Sequence, residues 1–316
     1  MTKKDRVQHP RKESKERSIF RSLQTFYIVL VLGLAAGAYR ILIWGKLNDS
    51  AALYIGLPLL IALALALLPK SGSTAINSIK VTLIGVLLSA PVFGEGFLCI
   101  LFSLPIFLSV AVAIGAIIDV QRIRKNRGGM LKVSCIVFFA AILALEGTTP
   151  ELSFNRQHEV SVTRILPLSI EETRATLAGS PALTTPYPVF LRIFPQPVSA
   201  TGHGLEKGDR RLLHFSYNKH LFFTPREGDI EAVINYAEPN HYRFQLVRDT
   251  TYISHYLAFQ DMDLLLEPLG EAQTRMTLHI RFTRHLDPVW YFAPLQKYAV
   301  WLAGSVLIDN VNPHQG

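Results

Sequence analysis

RMTLHIRFTRHLDPVWYF, residues 275–292, decides how the C-terminal half is read. Apolar and polar side chains alternate through Arg275–Thr283: Met276, Leu278, Ile280 and Phe282 share one face, and Arg275, Thr277, His279 and Arg281 the other. Period two with one apolar face predicts a strand of an antiparallel sheet, buried on one side and wet on the other. The alternation ends at Asp287-Pro288, residue types favoured at the N-cap and first turn of a helix. A helix is expected from there to about Asn310, carrying Trp290, Tyr291, Leu295, Tyr298, Trp301, Leu302 and Val306. Asp287 and Pro288 are thus expected to be a structural cap. The helix is apolar enough to pass for a membrane span, but Asp287, Lys297 and Asp309 and its place after a strand argue for packing on the sheet.

Working back to Pro150, short alternating runs separated by Gly, Pro, Asn and Asp continue the pattern. Strands are expected at His158–Ile165, Leu212–Tyr217, Ile230–Tyr236, Tyr242–Val247 and His255–Leu266. Ser169-Ile-Glu-Glu172 is a capping box, predicting a short helix to about Leu177.

The N-terminal half has a different grammar. Apolar runs at Phe26–Ile43, Ala51–Leu68, Ile79–Phe93, Phe97–Ile118 and Met130–Leu145 predict about five membrane-spanning helices. Ile79–Phe93 needs its helix to begin near Ala75 and Lys80 to reach the interface if it is to span. Pro105 is tolerable within a bundle. Gly33 and Gly37 form a GxxxG, a pattern that lets helices self-associate. Glu95, between Gly94 and Gly96, reads as an interfacial loop residue.

Composition agrees with this division. Of 316 residues 49% are hydrophobic and 18% charged, which argues against a purely soluble globule. The formal charge of +8 is made of +5 in residues 1–21, +5 in 22–150 and −2 in 151–316, so the basic excess sits in a tail and short loops rather than on a nucleic-acid-binding face. Fourteen Lys/Arg in the tail and alternate loops, against Lys46 on the other side, place the N-terminus in the cytoplasm and, after five crossings, the C-terminal domain outside it. Cys99 and Cys135 lie within apolar runs and residues 151–316 contain no cysteine, so neither a disulfide framework nor a cysteine zinc site is expected there. The expected organisation is a basic cytoplasmic tail (1–21), an all-α transmembrane bundle (22–148) and an α+β domain (149–316).

The order strand, short helices, antiparallel strands and long C-terminal helix, with Phe194-Pro195, Gly204–Arg211 (GLEKGDRR) and Arg281–Phe292 (RFTRHLDPVWYF), resembles the helix-grip fold of the START-like superfamily, which includes polyketide cyclases/dehydrases and lipid-transfer proteins. The resemblance covers about residues 156–311. It implies a cavity between sheet and C-terminal helix and a hydrophobic small molecule or lipid as ligand, without implying a reaction. The aromatic residues expected to line such a cavity are Phe215, Tyr217, Tyr236, Phe244, Phe259, Phe282, Trp290, Tyr291, Tyr298 and Trp301.

The polar residues point to no chemistry of their own. No HExxH or HxH is present, so no metal or cofactor is expected. His255, His279, Asp261 and Asp263 lie on strands whose inward face the sequence leaves open, and no catalytic residue is assigned. Non-catalytic ligand binding beside a bilayer is the leading expectation. A cyclase- or hydrolase-like enzyme using the same cavity, or a structural or signalling module with a filled core, is the alternative.

Overall fold

The computed structural model describes residues 23–35, 57–68, 71–93, 97–124, 146–147, 149–152, 154–217 and 226–311. They fall into two compact units, the first holding residues 23–124 and the second 146–311.

The first unit is helical: α1 Leu23–Ala35, α2 Leu57–Leu67, α3 Thr74–Phe93 and α4 Phe97–Arg124. α3 and α4 form a hairpin whose open end is tied by Asp119. Its carboxylate accepts from Thr74 N at 2.8 Å, Ala75 N at 3.2 Å and Ser73 Oγ at 2.9 Å, satisfying amides that the first turn of α3 leaves unpaired. Gly115 permits the close approach, because a Cβ there would collide with the Ala75 backbone. Lys80 donates to Leu68 O at 2.6 Å.

The expectation of a five-helix transmembrane bundle is corrected here. Among the described residues one helix, Leu101–Ile123 within α4, is long and apolar enough to cross a membrane, and little of it is buried. A span needs about 20 apolar residues. α1 and α2 are shorter as described, and the apolar part of α3 ends at Ser89. Residues 36–43 and 51–56 of the first two runs, the tail 1–21 and the whole run 130–145 lie outside the described residues.

The second unit is one seven-stranded antiparallel sheet with two helices. In chain order it comprises β1 Gln157–Leu166, α5 Ile170–Ala178, β2 Gln196–Thr201, β3 Arg210–Tyr217, β4 Arg226–Glu238, β5 His241–Asp249, β6 Leu257–Pro268, β7 Thr274–Arg284 and α6 Val289–Asp309. The strands lie in the order β1-β7-β6-β5-β4-β3-β2, so the first strand pairs with the last, as in a helix-grip fold. Alternation sorts β7 as expected, with Thr274, Met276, Leu278, Ile280, Phe282 and Arg284 all buried on the face toward α6. The hydrophobic core gathers Met276, Leu278, Ile280 and Phe282 with Val160, Val162 and Leu166 of β1, Leu264 and Leu266 of β6, and Val300 and Ile308 of α6. Gly304 allows the contact: a Cβ there would lie 2.9 Å from Ile280 Cδ1 and 3.0 Å from Val162 Cγ2.

The capping box forms as expected, Ser169 Oγ accepting from Glu172 N at 3.2 Å while the Glu172 carboxylate accepts from Ser169 N at 2.8 Å. The segment Gln196–Thr201 is a strand, β2, which as the sheet's edge tolerates Pro197. The expected strand from His255 begins at Leu257, because Tyr252–His255 closes into a 3₁₀ turn. Glu146, just ahead of the expected domain boundary, accepts a hydrogen bond from the first turn of α6.

Asp287 is not the cap of α6. The N-cap is Pro288, preceded by a cis peptide bond, and its side chain accepts nothing. Val289 N donates instead to Glu146 Oε1 at 2.7 Å. The Asp287 carboxylate pairs with Arg284 and, at 2.6 Å, with Arg156. Arg284 has no exposed surface and holds two carboxylates about it, Asp287 and, at 3.7 Å, Glu146. Burial of Asp287 opposes its ionisation, but Arg284 and Arg156 outweigh that and hold its carboxyl below the usual carboxylate range.

Candidate functional site

Parity and register divide the sheet into two chemical surfaces. On the outer face stand His241 and Arg243 of β5, Asp261 and Asp263 of β6, and His279 and Arg281 of β7. Asp263 accepts from Arg243 Nε at 2.7 Å, Arg281 Nη2 at 2.8 Å and His241 at 3.1 Å. Burial alone would raise its carboxyl, but these bonds pull it down to about 2. Asp261 pairs with Arg281 at 2.5 Å, and His279 with Glu159 at 3.1 Å. Asp261, Asp263 and His279 therefore belong to a polar, hydrogen-bonded outer lattice and do not face the helix side, while His255 lies in the 3₁₀ turn. Among the described residues no group of three His, Cys, Asp or Glu is placed to hold a metal ion.

The inner face is apolar and only partly covered. α6 packs on β1 and β7. Over β3–β6 the inner-face residues Leu213, Ile230, Ala232, Leu246, Phe259 and Met262 remain partly exposed. Leu213 pairs with Ile230 and Ala232 with Leu246, so these residues form one continuous apolar strip beside the buried Phe215 and Phe244.

The ten aromatic residues expected to line a cavity separate. Phe215, Phe244, Phe259 and Phe282 share the inner face, with Phe282 fully buried and Phe259 packed on the core. Tyr217 ends β3 opposite Arg226. Tyr236 is on the outer face, its ring 4.9 Å from that of His241, because an irregularity between Ile234 and Tyr236 shifts the register. Tyr291 is half-buried, edge-on to Phe292 at 4.9 Å, and burial raises its hydroxyl pKa. Trp290, Tyr298 and Trp301 are exposed on the side of α6 opposite the sheet and line nothing.

The sequence reasoning missed the polar end of the inner face. His158, in phase with Val160 and Val162, pairs across the sheet with Phe282, the two rings 5.7 Å apart. Its Nε2 is buried without a hydrogen-bond partner among the described residues, as is Gln296 Oε1 on α6. Burial first, then Lys297 and Arg284, lower the imidazole pKa and keep the ring neutral at ordinary pH. Gln296 Nε2 is held by Tyr256 O at 3.0 Å. The even-numbered phase of β1 was the available signal: a histidine in register with two buried valines points inward. A neutral imidazole and an amide oxygen at the edge of an apolar strip can orient a polar group of a mainly apolar molecule, and the imidazole can also accept a proton.

No protein-family model and no curated protein matches the chain. Among solved structures it is similar to a START superfamily protein from Mycobacterium smegmatis, at 14% identity and TM-score 0.32 over 49% of this chain and 94% of that one. A truncated norcoclaurine synthase from Thalictrum flavum matches at 5% identity and TM-score 0.33 over 49% and 91%. The Zhui aromatase/cyclase from Streptomyces sp. R1128 matches at 12% and 0.31 over 51% and 99%. The matches cover the C-terminal half.

Proposed function

We propose that the chain is a polytopic membrane protein whose C-terminal helix-grip domain binds a hydrophobic small molecule or lipid on the inner face of its sheet, without catalysing a reaction. The observation that carries this reading is the partly exposed apolar strip of Leu213, Ile230, Ala232, Leu246, Phe259 and Met262. Removing apolar surface from water is worth roughly 25 cal/mol per Å², so a ligand lying along the strip gains what the domain's own core leaves unburied. In this reading the N-terminus is cytoplasmic, the N-terminal apolar helices anchor the chain in the bilayer, and the domain is extracytoplasmic. An apolar ligand then passes from bilayer to domain without crossing bulk water. Gly33 is buried in α1 and Gly37 lies outside the described residues; the pair is proposed to support helix self-association.

Native mass spectrometry of the full chain released from nanodiscs tests the binding. A co-purifying lipid or apolar metabolite is expected, and Leu246→Lys, which places a charge on the strip, is expected to release it while the domain stays folded. Repeated absence of ligand from the wild-type chain would overturn the reading.

His158 supports a second reading, a cyclase/dehydrase- or hydrolase-like enzyme using the same face, because a neutral, partly buried imidazole whose Nε2 has no hydrogen-bond partner among the described residues suits a general base. Turnover of an aromatic polyketide-like substrate that is lost in His158→Gln, with ligand binding retained, would favour it.

A further inference from the structure

α6 has a second face that the core does not use. Phe292, Gln296, Val300, Gly304 and Ile308 are buried, following one another at helical spacing. On the opposite side Trp290, Pro294, Lys297, Tyr298 and Trp301 are exposed at the same spacing. Trp290 is 58%, Tyr298 51% and Trp301 38% exposed. Tyr298 and Trp301 stack, their centroids 6.4 Å apart and planes 14° off parallel. Phe190 adds a ring 5.3 Å from Tyr298, and its neighbour Val189 is 77% exposed. Two segments distant in sequence thus build one aromatic surface, whereas Val247 and Val198 stand exposed on separate strands.

Three features identify what such a surface fits. Tryptophan and tyrosine combine an apolar ring with one polar hydrogen, which suits the headgroup boundary of a bilayer better than either water or hydrocarbon. The net charge on the patch is positive and is that of Lys297 within the stripe; beside it the Arg164 guanidinium sits 5.9 Å from the Trp301 ring and pairs with Asp309 at 3.6 Å. No Asp or Glu occurs in α6 before Asp309, whose carboxylate is taken up by Arg164, so the ammonium of Lys297 is left to meet lipid phosphate along the stripe. Finally, only residues 125–145 separate this domain from α4, whose Leu101–Ile123 has the length and apolarity of a span.

We propose that the outward face of α6, Trp290, Lys297, Tyr298 and Trp301 with Val189 and Phe190 beside it, lies on a phospholipid bilayer at headgroup depth. It holds the helix-grip domain flat against the membrane. The proposal rests on the membrane part of the functional reading and is independent of the ligand.

The test uses the full chain carrying Trp44→Phe, which leaves Trp290 and Trp301 as its tryptophans. It is reconstituted into vesicles of equimolar phosphatidylcholine and phosphatidylglycerol, with or without bromine on the acyl chains. Flotation with the vesicles reports separately whether the chain is membrane-bound. Brominated lipid is expected to remove most of the tryptophan emission, both in Trp290→Phe and in Trp301→Phe. A lone tryptophan placed by Val247→Trp on the outer sheet face, with the other three replaced by Phe, is expected to keep its emission. A floating chain whose Trp290 and Trp301 are unquenched would overturn the proposal and leave the anchoring intact; a chain that does not float would overturn both. Loss of Val247→Trp emission equal to that of Trp301 would also overturn it, since the contact would not be specific to α6.

Discussion

Arg284 has no exposed surface, and the strand-to-helix corner surrounds it with the carboxylates of Asp287 and Glu146. Removing one partner of a buried ion pair costs about 3–5 kcal/mol because the remaining charge stays desolvated. With Glu146 still in place, Asp287→Ala and Asp287→Asn are each expected to cost about 3 kcal/mol in chemical denaturation of the domain. An N-cap role would instead leave Asn almost as good as Asp, so near-equality of the two variants is the result that distinguishes the pair from the cap. The acidic type at 287 was legible in the sequence, but its work was not. Its other partner, Arg156, is 131 positions away, and no local pattern encodes that distance. Asp263 makes the same argument on the outer face. Its carboxyl is held at about 2 against 3.8 for the free group, so its contribution is complete above about pH 4 and is lost as pH falls toward 2. That contribution is on the order of 1–2 kcal/mol after allowing for the partly exposed arginines. Unfolding free energy followed between pH 5 and 2 is expected to fall less steeply in Asp263→Asn than in the wild type, from a lower starting value. Identical slopes would remove Asp263 from the acid limb.

Elements whose signals are local were readable, and those set by packing were not. Ser169 and Glu172 are three residues apart and satisfy one another, so the start of α5 follows from four residues. β7 was readable because alternation is complete over its length. β2 was not, since its stability comes from pairing with β3 and its residues Gln196-Pro-Val-Ser199 carry no strand pattern. On α6, residue type misled where phase would have served. Trp290, Tyr298 and Trp301 were grouped with cavity aromatics, yet they run in phase with Pro294 and Lys297, half a turn from Phe292, Gln296 and Val300. The phase of the buried side also locates the closest contact between helix and sheet, Gly304 over Ile280 and Val162. Gly304→Val would force α6 off the sheet or its neighbours off their rotamers, at about 1–3 kcal/mol. Paired with Ile280→Ala, which opens space, the variant is expected to recover part of that loss in thermal unfolding. Additive losses would mean that the two side chains do not meet.

At the scale of the molecule, the two grammars of the sequence, uninterrupted apolar runs and then alternating strands, correspond to two compact units. The order of the sheet was legible only through resemblance, since pairing of β1 with β7 joins residues more than a hundred positions apart. The polar outer and apolar inner faces followed from alternation, but which residues of the inner face stay uncovered depends on where α6 lies, and a strand pattern carries no such information. The proposed topology rests on physics outside the fold: basic loops are retained on the cytoplasmic side. Arg122, Arg124, Lys125 and Arg127 follow the apolar stretch of α4 and the basic tail precedes α1, so the proposed topology puts an even number of crossings between them and assigns one more to the apolar run 130–145. A chain with Cys99 and Cys135 replaced by serine and a single cysteine at Gly316 tests this in intact cells. A membrane-impermeant maleimide is expected to label that cysteine fully, and a cysteine introduced at Ser14 only after the membrane is opened. If the Gly316 cysteine is labelled only after opening, residues 130–145 do not cross, the domain is cytoplasmic, and the outward face of α6 would have to meet the inner leaflet.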